Sequence, residues 1–133
     1  VKVTAKRSHY EETKHHALLE KMNPCFGVEL LKKLVTSEAY ILYEVYAEDS
    51  FIGIFLAKLD KLIDGEIELV ILHAAAVKAP AMPITSVLNP VFEAVAREHG
   101  IRSIRVHSDK KGLDKLLEEN NFKFAEAIFR KVI

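Results

Sequence analysis

The chain has 133 residues, 50% of them hydrophobic, 29% charged and 8% aromatic, and its 19 basic and 19 acidic side chains leave a formal net charge of +0. That length and balance describe one folded domain, residues 1–133, able to bury roughly two thirds of its unfolded surface without disulfides or a structural metal, and they argue against a basic surface that neutralises nucleic-acid phosphates. A single cysteine, Cys25, excludes an intramolecular disulfide and points to a reducing, cytoplasmic setting; no apolar run of about eighteen residues is present to span a membrane, and Val1 to Arg7 carry charge where a signal peptide needs a long apolar stretch.

After a first short strand, Ser8-His9-Tyr10-Glu11 has capping-box spacing and predicts a helix from about His9 to Met22, stopped by Asn23-Pro24. Leu30, Leu31, Leu34 and Val35 recur at helical spacing and predict a second, shorter helix. The period then changes. Tyr40 to Ala47 and Phe51 to Leu59 are rich in aromatic and β-branched residues, and Glu48-Asp49-Ser50 between them fits a hairpin. Asp64-Gly65 supplies the next turn, before a third strand from Glu66 to Ala74. Ile84, Val87, Leu88, Val91, Phe92, Val95 and Ala96 keep a helical pattern that ends at Gly100, with Pro90 kinking the helix or moving its start towards Asn89. Ile101 to His107 reads as a buried strand, Asp109 to Leu117 as a helix, and Phe122 to Ile133 as a last strand. A helix separating two strands implies a crossover and a parallel pair inside an otherwise antiparallel sheet, hence a mixed α/β fold.

In this order the chain resembles the GNAT acyltransferases, which move an acyl group from coenzyme A to an amine. The resemblance is carried by Asp49-Ser50-Phe51-Ile52-Gly53-Ile54-Phe55-Leu56, by Glu66-Ile67-Glu68-Leu69-Val70-Ile71-Leu72, by Ala96-Arg97-Glu98-His99-Gly100 with Ile101 to Val106 after it, and by Leu116 to Phe122, where the family has its Leu-Tyr-x-x-x-Gly-Phe ending. It implies that the fourth and fifth strands splay to admit the pantetheine arm of acetyl-CoA. On that reading the backbone at Ala75, Ala76 and Val77 takes the thioester and pantetheine, and Met82, Ile84, Thr85 and Ser86 take the pyrophosphate.

The pyrophosphate pattern, Gln/Arg-x-x-Gly-x-Gly/Ala, is replaced here by Pro80-Ala81-Met82-Pro83-Ile84-Thr85. Bare backbone N–H groups at a helix start hold the anion, and Pro83 has none to give. Losing one hydrogen bond to a charged acceptor weakens binding by about ten- to a hundredfold. Leu117 stands where the family's tyrosine protonates the departing thiolate, and Lys110 where asparagine is common. The candidate bases are Glu68 (or Glu66), and His73 with His107, at the ends of the two strands expected to splay. Each has a plainer reading as a strand-face or strand-end polar residue. His15 and His16 are adjacent and point to different helix faces, so no metal site is expected. Two functions follow: N-acyl transfer to a small-molecule or protein amine, or an inactive GNAT-fold binding or assembly module, such as the divergent phage-encoded members. A single strand after the last helix leaves a sheet edge open to a second copy of the chain.

Overall fold

The computed structural model describes residues 2–22, 27–78, 88–106, 118, 131 and 133. They form β1 (Val3–Ser8), α1 (Glu12–Lys21), α2 (Val28–Thr36), β2 (Ile41–Ala47), β3 (Ser50–Lys61), β4 (Ile67–Ala76), α3 (Asn89–Glu98) and β5 (Ser103–Val106). The strands make one sheet in the order β1-β2-β3-β4-β5, antiparallel except for the parallel pair β4 and β5. The expected helix and strand after residue 107, the open edge they would leave, and Cys25 lie outside the described residues.

Strand alternation sorts the core into two layers. Tyr43, Val45, Phe55, Ala57, Leu69 and Ile71 meet Val91, Phe92, Val95 and Ala96 of α3 on one face, where Tyr43 stacks on Phe55 at 4.9 Å and Phe92 meets Phe55 edge-on at 5.1 Å. Leu42, Ile54 and Leu56 meet Leu18 and Leu19 of α1 and Leu31 and Val35 of α2 on the other. Among the described residues no helix is long and apolar enough to cross a membrane.

The helix ends show where local chemistry differs from expectation. The capping box at Ser8 and Glu11 does not form, because Ser8 is still in β1, opposite Leu42, and its hydroxyl donates to the His9 carbonyl. Glu11 is the N-cap of α1, and its amide donates to Nδ1 of His15 at 2.9 Å. A histidine one turn into the helix thus satisfies a donor that would otherwise be orphaned. Pro90 lies in the first turn of α3, where its missing N–H costs nothing. Gly100, after the His99 cap, takes φ 68° as the sequence predicts. At the end of α2 the equivalent left-handed position falls to Glu38, with φ 64°.

Candidate functional site

The site is organised by one extra residue in β4. Leu56 and Ala57 of β3 face His73 and Ile71, so Leu72 has no residue opposite it and forms a bulge. The bulge inverts the alternation. Leu69 and Ile71 lie on the α3 face before it, Ala74 and Ala76 lie there after it, and Ala75 packs with α1 and α2.

The parallel ladder between β4 and β5 runs from Glu68 opposite Ser103 to Ile71 opposite Val106. Among the described residues β4 continues past it, from Leu72 to Ala76, with no partner on that side. The described part of this ladder ends at Ile71 and Val106, next to the bulge. Three alanines make the section beyond it narrow. The Val77 amide donates to the Ile52 carbonyl at 2.9 Å; alternation along an antiparallel strand then turns the main-chain groups of Ala74 and Ala76 to the opposite edge, towards β5.

The candidate bases separate on this geometry. Glu68 is inside the ladder, with its side chain 12% exposed. One carboxylate oxygen accepts the Ser103 hydroxyl at 2.6 Å and the other lies 3.4 Å from Nε of Arg105, which also binds Asp60 at 2.7 Å. Glu66 pairs with Arg102 at 3.2 Å in the turn before β4. His73 is half-buried immediately after the bulge, on the α1 and α2 face opposite Leu56. It is separated from Glu68 by five positions, about 15 Å of strand. His107, Met82, Ile84, Thr85 and Ser86 lie outside the described residues.

Helix α1 is fastened to the sheet at both ends. At its start lies a buried polar network that the sequence reading did not single out. Glu44 of β2, only 4% exposed, accepts from Nε2 of His15 at 2.7 Å, from Nζ of Lys14 at 2.9 Å and from the Tyr46 hydroxyl at 2.9 Å. Because the Glu11 amide occupies Nδ1, the ring proton of His15 sits on Nε2 and points at the carboxylate. These three donors outweigh burial and hold the Glu44 carboxyl below its ordinary range, although desolvation alone would raise it. Lys14, held the other way by Glu44 and Tyr46, is pushed above the usual lysine value, and its ammonium also lies 4.7 Å from the Phe51 ring centre. Glu11, His15 and Glu44 bring three possible ligand atoms within 4.8 Å. Lys14 sits on the carboxylate oxygen that His15 uses, so a lysine charge already fills the place a metal cation would take.

At the other end of α1, Nζ of Lys21 donates to the carbonyl oxygens of Ala76 at 2.9 Å and Val77 at 3.0 Å. This ties the helix to the section of β4 beyond the bulge. The sequence signal was a lysine in the last helical turn, which by itself reads as a solvated charge.

No known protein-family profile matches the chain, and no curated protein sequence matches it significantly. Among solved structures, it is similar to a ribosomal-protein-alanine N-acetyltransferase from Brucella melitensis, with a TM-score of 0.69 and 14% identity over 98% of this chain and 100% of that one. It is similar to an aminoglycoside N-acetyltransferase in complex with CoA, with a TM-score of 0.68 and 12% identity over 99% of this chain and 95% of that one. It is also similar to a transcriptional regulator from Bacillus halodurans, with a TM-score of 0.69 and 16% identity over 99% of this chain and 100% of that one. The mixed five-stranded sheet is that of the GNAT-type acetyltransferases, at identities that speak for the fold alone.

Proposed function

We propose that the chain is an acyl-coenzyme A-dependent N-acyltransferase acting on an amine. The observation that carries this reading is the narrow end of β4, a bulge at Leu72 followed by Ala74, Ala75 and Ala76, in a fold shared with acetyltransferases. A thin extended arm needs such an edge, with main-chain groups to pair with and no side chain larger than a methyl in its way.

The residues fit the cofactor on the β4 side. Ala74 offers a main-chain donor and acceptor, and Ala76 a donor, on the edge away from β3, the Ala76 carbonyl being held by Lys21. Bound acetyl-CoA supplies the acyl group already activated as a thioester. His73 is our choice for the group that takes the proton from the acceptor amine: it follows the bulge directly and adjoins the three alanines, whereas Glu68 lies inside the ladder. Burying the amine beside the α1 and α2 face would favour its neutral, nucleophilic form.

A second reading, a binding module without chemistry, draws on Pro83, which removes an N–H from the segment expected to hold the pyrophosphate, and on Leu117 in place of a tyrosine acid. One experiment separates the two. Acetyl-CoA at a hundred times its dissociation constant adds about 2.7 kcal/mol of stability, a shift of roughly 8–13 °C for a domain of this size. That shift, with acyl transfer to at least one member of a panel of amines, supports the transferase. Neither result at millimolar acetyl-CoA leaves the binding module.

A further inference from the structure

We infer that the tip of the hairpin between β3 and β4 is an interface between two copies of this chain, paired about a two-fold axis, with Ile63 as its central contact. The hairpin outruns its neighbours. The ladder with β2 ends at Ala57 opposite Ile41, and the ladder with β5 begins at Glu68 opposite Ser103, so among the described residues 58–67 form a two-stranded arm. The arm closes through a turn in which the Gly65 amide donates to the Leu62 carbonyl and the Leu62 amide to the Glu66 carbonyl, which leaves Ile63 and Asp64 at the corners. Asp64 suits its corner, because its carboxylate accepts the Glu66 amide at 2.9 Å. Ile63 contributes nothing to the turn: it is 109% exposed, and its branched apolar side chain brings neither a hydrogen bond nor backbone freedom.

A shelf lies behind this knob. Leu59 stands opposite Leu69, and Lys61 opposite Ile67, on the strand face that carries Leu69 and Ile71 into the α3 core. Leu69 is buried, whereas Leu59, Leu62 and Ile67 are exposed. Four large apolar residues bare within nine positions make a patch of the kind that marks a contact surface. The charges select the occupant. Lys58 is matched by Asp60 at 3.5 Å, Glu66 by Arg102 at 3.2 Å and Glu68 by Arg105 at 3.4 Å. Among the described residues, Lys61 has no carboxylate at ion-pair distance and Asp64 no cation. Lys61 is on the shelf and Asp64 is beside the knob. When Ile63 of one copy sits on Leu59 and Ile67 of the other, its Asp64 meets that copy's Lys61, and the two-fold axis repeats both contacts. The formal net charge of +0 adds no repulsion between whole chains. The overlap, about three rungs or 10 Å of strand, is small, so the dimer should associate in the micromolar range.

Sedimentation equilibrium of the full chain should therefore show a reversible monomer–dimer equilibrium. Ile63→Asp is expected to raise its Kd at least about thirtyfold, the loss of one hot-spot side chain. Compared where both are monomeric, its Tm should stay within about 3 °C of the parent, because a fully exposed corner residue has no packing to lose. Lys61→Asp and Asp64→Lys each place like charges at both contacts and should be monomers alone. Mixed in equal amounts, they restore two opposite-charge pairs per dimer and should form a heterodimer that salt weakens. A parent chain that remains monomeric at about a hundred times micromolar concentration overturns the inference. So does a dimer that Ile63→Asp leaves intact, which would put the contact elsewhere on the chain, and so do two charge variants that fail to prefer one another over themselves.

Discussion

Replacing Glu44 by alanine tests how α1 is fastened to the sheet. The substitution removes a carboxylate with 6% side-chain exposure that receives three donors, and it strands the Nε2 proton of His15, whose side chain is fully buried. Breaking a buried pair from one side costs about 3–5 kcal/mol. The low end applies, because the Lys14 side chain is 34% exposed and can turn its ammonium to water. We therefore expect a loss of about 3 kcal/mol, or roughly 9–15 °C in Tm. Glu44→Gln keeps a carbonyl acceptor for His15 or Lys14 and should lose only about 1 kcal/mol at neutral pH. The acid side gives an independent check. The carboxyl of Glu44 is depressed in the folded state below its ordinary 4.5. Its contribution is thus complete above that value and drains away as pH falls through the folded pKa. The glutamine variant has nothing to lose there, so the gap between the two proteins should close below about pH 4.5. Urea unfolding from pH 7 to pH 3 measures both effects. An alanine variant within 0.5 kcal/mol of the parent, or a gap that stays constant to pH 3, would refute this account of the network.

Three further outcomes are expected. Glu38→Gly should raise stability by about 0.5–1 kcal/mol, because Glu38 holds φ 64° at the end of α2 and gives up only a 3.8 Å contact with Arg7; a lower Tm would contradict this. Phe92→Ala, at a residue 1% exposed and edge-on to Phe55, should cost about 3–5 kcal/mol by chemical denaturation. In the acyltransferase assay His73→Gln should lower kcat by at least about a hundredfold and remove one limb of the pH profile, and a larger loss from Glu68→Gln would return the role of base to Glu68.

The order of elements was legible because each period is clean: the aromatic and β-branched runs at residues 40–47 and 51–59 became β2 and β3, and the stripe from Leu88 to Ala96 became the buried face of α3. Pro90 and Gly100 marked the ends of α3 through backbone chemistry alone. Side-chain partnerships across elements left weaker marks. Ser8 and Glu11 have the spacing of a capping box, yet pairing with β2 keeps Ser8 in the sheet and His15 performs the cap. Glu44 reads as the polar alternate of a strand with one wet face; only the docking of α1 over it makes it buried, and that contact joins residues twenty-nine positions apart. Lys21 has no local pattern that ties it to Ala76. The bulge was invisible for a different reason, since Leu72 is an ordinary strand residue whose role is set by its register against β3.

That single surplus residue lets one strand serve two masters. Upstream of it, odd-numbered β4 positions face α3; downstream, even-numbered ones do. Excising Leu72 would restore an uninterrupted zigzag in which Ile71 and Ala74 still turn to α3 and His73 still turns to α1 and α2, each with its present partner on β3. What such a deletion takes away is the local bend and extra twist of the strand, so both packed faces should tolerate it.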